Sequence, residues 1–138
     1  MQHVLSSPAA GYGAATLLLR VSLAAMWLTH AILLKFMTFG IAGLAGWMAT
    51  KGFPGQLAWP LVLSETIGGI LILLGVYGRW VSLALQPILV GALVIHAGNG
   101  WVFSNANGGW EYPAFLMAVS VVHFLLGDGP HALKPEQR

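Results

Sequence analysis

The sequence predicts an all-α integral membrane protein: four transmembrane helices in an antiparallel bundle, with a short interfacial or re-entrant helix between the first and second spans. Three observations lead there. Of the 138 residues, 57% are hydrophobic and only 7% are charged, where soluble domains carry about 25% charged residues. Mean hydropathy is +0.78, so the bilayer rather than water is the expected solvent. The apolar residues fall into four runs, each close to the roughly 20 residues that cross a hydrocarbon core at about 1.5 Å rise per residue. Turns rich in glycine, asparagine and proline separate them, and the whole chain, 1–138, reads as one domain.

The first span is expected at about 13–36, interrupted by Arg20, His30 and Lys35. Residues Met1 to Ala10 contain no Lys or Arg, so the positive region of a cleaved signal is missing and the run reads as a retained helix. Met37 to Thr50 is apolar but too short to span. Its glycines and Trp47 suit a helix lying at the membrane surface or re-entering it. After the turn Lys51-Gly52-Phe53-Pro54-Gly55, the second span is expected at about 57–77, carrying Glu65. Gly68 and Gly69 share a helical face with that carboxylate and let a neighbouring helix come close.

The third span, about 80–97, carries His96 at its end and Pro87 in its middle. Pro87 should kink the helix, with Gln86 as a polar partner for the backbone it frees. Gly98 to Gly109 is a polar loop, and the fourth span, about 111–126, opens with Glu111 and carries His123. Gly127-Asp128-Gly129-Pro130 stops it.

Four spans put both termini on one side. Arg79, Lys134 and Arg138 would lie there, against Lys35 and Lys51 opposite, which favours termini in the cytoplasm of a bacterial-type inner membrane. The formal net charge of +2 gives no basic patch for nucleic acid. The absence of cysteine removes disulfides, thiolate metal sites and attached haem c.

With that topology each helix brings a titratable group to the outer side. Charges within a span are costly, about 2.5–3.5 kcal/mol each, so Glu65 needs a partner or a role. Glu65 and His96 are the candidate proton acceptors, and Glu111 and His30 the candidates for relaying or orienting. Glu111 at a helix start also reads as a carboxylate stabilised by free amides, and the two histidines equally as interfacial hydrogen-bonding residues. Lys35 is expected to snorkel to the headgroups, and within a ligand site it joins the aromatic candidates Trp101, Trp110 and Tyr112. Those aromatics read equally as an interface belt. Arg20, about 15 Å along the helix from His30, is read as structural and snorkelling, with Gly68, Gly69 and Pro87 also structural. His123 is read as a hydrogen-bonding residue of the bundle. Two histidines and two carboxylates without ligand spacing make a poor metal site, and none is expected.

The order Leu-Leu-Leu-Arg20, His30, Lys35, Gly52-Phe53-Pro54, Ser64-Glu65-Thr66-Ile67-Gly68-Gly69, Leu74-Gly75, Arg79, His96, Gly109-Trp110-Glu111-Tyr112-Pro113 and Gly127-Asp128-Gly129-Pro130 resembles the DoxX family of small four-helix inner-membrane proteins. The resemblance runs along nearly the whole chain and departs at Asp128 and Pro130. It implies an integral membrane protein associated with quinone-linked redox systems, including thiosulfate oxidation.

Two classes of function follow. In one, the protein is a membrane component of a redox complex that binds a quinone or quinol between the helices toward the periplasmic side. A quinone is then the expected cofactor, with no haem, flavin or metal, and a partner protein accepts the electrons. In the other, it is a non-catalytic anchor or assembly subunit for such a partner, or a homo-oligomer, and its polar groups only fix helix register.

Overall fold

Helix α1 (Pro8–Leu28) begins where the sequence supplies both a cap and a starter. The Ser7 hydroxyl accepts the amide of Ala10 at 3.2 Å, and Pro8 occupies the first turn, where its missing N–H is not needed. In this computed structural model residues 7–136 are described, all helix, turn or loop. Residues 1–6 and Arg138, both used in the sequence argument, lie outside them.

α1 does not stop near residue 36. It runs on into an 11-residue π-helical stretch, Thr29–Phe39, and Thr38 Oγ1 donates to Leu33 O five residues back at 2.7 Å. Gly40, at φ 71°, then turns the chain into α2 (Gly40–Thr50). This is the short helix expected between the spans. It packs back on the bundle, burying Leu44 and Met48 against Ala58 and Val62 of the next helix.

α3 (Ala58–Leu74) is shorter than the expected 57–77, because Gly75 takes a left-handed conformation at φ 70°. The amides of Gly75 and Val76 both bond Leu71 O, at 2.9 and 3.0 Å, closing the helix end. The expected third span is two helices, α4 (Gly78–Ala84) and α5 (Gln86–His96), broken at Leu85. Pro87 therefore sits in a first turn rather than in mid-helix. Gln86 does not serve the freed backbone either; its amide crosses to Met117 O at 3.3 Å. α6 (Glu111–Leu126) has the expected bounds.

α1 packs against α3 and α6, α4 against α3 and α6, and α5 against α6. Leu23, Ala24, Trp27, Ile72, Leu85 and Leu89 form the buried apolar core. The paired glycines serve two different neighbours. A Cβ at Gly68 would come within 2.7 Å of Leu85, and one at Gly69 within 2.9 Å of Leu28. Close packing at these two points thus depends on the missing side chains.

Among the described residues, three helical runs are long and apolar enough to cross a membrane: Pro8–Thr50, Gly55–Leu74 and Gly78–Asn99. Glu111–Leu126 is apolar but shorter. Their outward faces carry exposed large apolar side chains such as Leu18, Val94 and Phe115. Such a surface belongs in lipid. This is a membrane protein.

Candidate functional site

At the Lys35 end of the bundle the π stretch, α2, α3, α5 and α6 surround a cavity of about 460 Å³. Met26, Trp27, Met48, Leu61, Leu89 and Leu116 make much of its wall apolar. Its polar groups are His30, Lys35, Ser64, Glu65, His96 and Tyr112. Glu65 and His96, from different helices, therefore reach one space.

The π register puts two of these groups there together. At about 100° per residue, an α-helix would place positions 30 and 35 roughly 140° apart. A ladder closed every five residues brings them back to one side, and both His30 and Lys35 line the cavity. Lys35 does not snorkel outward. Its Nζ lies 2.6 and 2.7 Å from the two Glu65 oxygens, with Glu65 only 2% exposed. A lysine turned outward would leave the buried carboxylate uncompensated, which is the costlier arrangement. Glu65 accordingly has the partner that its place within a span demanded.

The His30 ring stacks on Tyr112, centroids 5.6 Å apart, and its Nε2 is 3.1 Å from the Tyr112 hydroxyl. His96 is held by the loop that follows it. Its Nδ1 faces the carbonyl oxygens of Asn107 and Gly108 at 3.1 and 3.2 Å. Carbonyls only accept, so Nδ1 carries the proton and Nε2 is left as the ring's acceptor. Asn99 donates to the same two carbonyls, at 3.1 and 2.8 Å, and fixes them in place.

Three expected site residues lie elsewhere. Glu111 does not reach the cavity lining; its carboxylate accepts the amide of Phe103 at 3.0 Å and ties down the loop before α6. Trp101 and Trp110 pack edge-on against each other, centroids 4.5 Å apart, and leave the cavity to Tyr112. In each case the loop's own unpaired amides and aromatic faces are nearer than the cavity.

A second polar cluster occupies the opposite end, and the sequence reading missed it as a cluster. Arg20 is 1% exposed and does not snorkel; it donates to Leu73 O and His131 O, both at 3.0 Å. The C-terminal segment has folded beneath it, through Leu133 N to Leu74 O at 2.8 Å. His123, as expected, bonds within the bundle. Its Nε2 donates to Asp128 Oδ1 at 2.8 Å, and its Nδ1 meets the Ser82 hydroxyl at 2.7 Å. The other Asp128 oxygen accepts the amide of Gly78 at 2.7 Å, at the start of α4. Burial pushes the Asp128 carboxyl up, but the bonds from His123 and Gly78 and the nearby imidazole outweigh it, and its pKa lies below the ordinary value. Serine, histidine and aspartate in a row suggest hydrolysis, yet Ser82 and His123 are fully buried. The row is a structural clasp. Only the Gly-Asp-Gly-Pro spacing after His123 hinted at it.

Among the described residues no group of three or more His, Asp or Glu side chains could hold a metal ion.

Comparison with known proteins agrees with this architecture. A protein of Bacillus subtilis (strain 168) named "Putative oxidoreductase CatD" is 30% identical over 120 residues, covering 87% of this chain and 84% of the relative. No solved structure matches the chain. The DoxX family model matches residues 15–98, from the first helix through His96 and most of the cavity wall, and the chain belongs to that family.

Proposed function

We propose that the protein is the membrane component of a quinone-linked redox system, and that a quinone or quinol occupies the cavity. It would cross the cytoplasmic membrane four times as an antiparallel bundle, with α6 as the fourth span, both termini in the cytoplasm and the cavity toward the periplasm. The observation that carries this reading is the convergence of Lys35–Glu65, His30–Tyr112 and His96 on one largely apolar space. The DoxX family and the oxidoreductase name of the Bacillus subtilis relative support a redox association.

The residues present fit such a ligand. A flat ring finds apolar walls and the Tyr112 and His30 faces, while its oxygens find donors and acceptors. A quinol gives up two protons and two electrons on oxidation. His96 Nε2 is the acceptor for one proton, because the loop carbonyls hold the hydrogen on Nδ1. The Glu65 carboxylate takes the second proton from the other oxygen, which the Lys35 ammonium hydrogen-bonds, and Tyr112 with His30 orients the ring. The electrons pass to a partner protein carrying its own redox group.

Purified protein in nanodiscs should bind a short-chain quinone saturably, with His96→Ala and Glu65→Gln weakening binding at least tenfold while helicity by circular dichroism stays unchanged. Absence of saturable binding to the intact protein would sink the proposal.

A scaffold role is the second reading, favoured by the exposed Trp101, Val102 and Phe103 in the loop before α6. A stoichiometric partner retained in mild detergent, with no quinone in the preparation, would support it instead.

A further inference from the structure

We infer that the cavity opens sideways into the hydrocarbon between α3 and α5, so that its ligand enters and leaves through the lipid rather than from water. For the identity of the ligand this rests on the quinone reading; the opening does not.

The argument begins at Gly68. Val81 of α4 and Leu85 at the break after it sit against Gly68 closely enough that no Cβ would fit without displacing Leu85. α3 and α4 are thus pinned together at that level. At Leu85 the helix breaks, and α5 starts at Gln86 with Pro87 in its first turn. From there α5 packs on α6 and has at most slight contact with α3. Both helices nevertheless line the cavity, α3 with Leu61 and Ser64, and α5 with Gly91 and Ile95. Two helices that wall one space with so little contact leave a gap between them, and the pinned point makes it a wedge that widens toward the Lys35 end. α1 and α6 pack together, which closes the wall between those two helices.

What lies outside the gap is set by the flanks. Leu63 and Ile67 on α3, and Val90 and Val94 on α5, are exposed and apolar. Gly91 lies five residues before His96, about 7.5 Å along the helix by its rise, which places the gap below the polar loop and within the acyl chains. A glycine also keeps the gap clear of side chains on the α5 flank. A Cβ at Gly91 would meet nothing within 4 Å, so a larger side chain has room to enter it. A ligand using this route is one already dissolved in the membrane, with an apolar tail that can stay in lipid while the ring is held inside.

The chain has no cysteine, so a single thiol reports access cleanly. Leu116→Cys places one on α6, at the back of the cavity, and Val94→Cys places a control on the lipid-facing side of α5. In vesicles, a long-chain N-alkyl maleimide dissolved in the lipid should label Cys at position 116 at least tenfold faster than a sulfonated, membrane-impermeant maleimide. Adding Gly91→Leu or Gly91→Trp should slow the lipid-borne reaction at 116 tenfold or more and leave the reaction at 94 unchanged. Ile95→Trp provides a second plug should the glycine variants fail to insert. Equal labelling by the sulfonated reagent, or no slowing by either plug, overturns the lateral route. Protection of position 116 by a short-chain quinone tests the ligand separately: no protection, with the plug effect intact, removes the quinone and keeps the opening.

Discussion

Lys35 and Glu65 form the pair on which the site's chemistry turns, and their bond is testable as an energy. Removing one member of a buried pair strands the other and costs about 3–5 kcal/mol, whereas replacing both by apolar groups is often neutral. Glu65→Gln and Lys35→Met should each lower the unfolding midpoint in detergent by several degrees, while Lys35→Met with Glu65→Leu should recover most of the loss. A double variant no better than the worse single one would show that the pair does not act as a unit. Glu65 was legible in the sequence because a carboxylate within a span must find a cation. Its partner was not, since an α-helical reading turns position 35 away from position 30 and sends a lysine near a helix end to the headgroups. Glu111, Trp101 and Trp110 misled for a related reason. Closeness in sequence to the cavity-lining Tyr112 says nothing about the loop amide and the facing ring that engage them first.

At the scale of elements, the π stretch and the clasp at the α4–α6 junction each make a prediction. Deleting Leu34 moves the lysine to four residues after His30, a spacing that shares a face in an ordinary α-helix; the ion pair and the melting temperature should largely survive. Inserting an alanine between Leu33 and Leu34 puts the two six apart, off one face, and should cost about as much stability as Lys35→Met. The same loss from both changes would mean the π ladder does not set the register. The clasp predicts a pH dependence. Because folding lowers the Asp128 pKa, its contribution is present above the unfolded value, about 3.9, and is lost as pH falls through the folded value. Asp128→Asn should lower stability at pH 7 and flatten the pH profile at the acid end; a profile of unchanged slope would place the titration elsewhere. Helix boundaries failed where single residues decide them. Gly75 ended α3 early through its left-handed turn, and Leu85 divided a run that composition read as one span.

For the molecule as a whole, hydrophobic run lengths and turn composition were enough to read an all-helical membrane protein, because a bilayer leaves so few alternatives. What they could not reveal is the separation of its polar groups into two assemblies. Along α1 the order is Arg20, Leu23, Trp27, His30, and along α4 and α5 it is Ser82, Leu85, Leu89, His96, so each helix alternates polar, apolar, polar. Only the folded packing shows those middle residues, with Ile72, closing into a single core across the bundle. That layer is an apolar barrier between the two polar ends. Protons exchanged at the Lys35 end would have to cross apolar side chains to reach the Asp128 end, so vesicles containing the protein should hold an imposed proton gradient as long as empty ones. Protons released in the cavity would then reach one compartment alone.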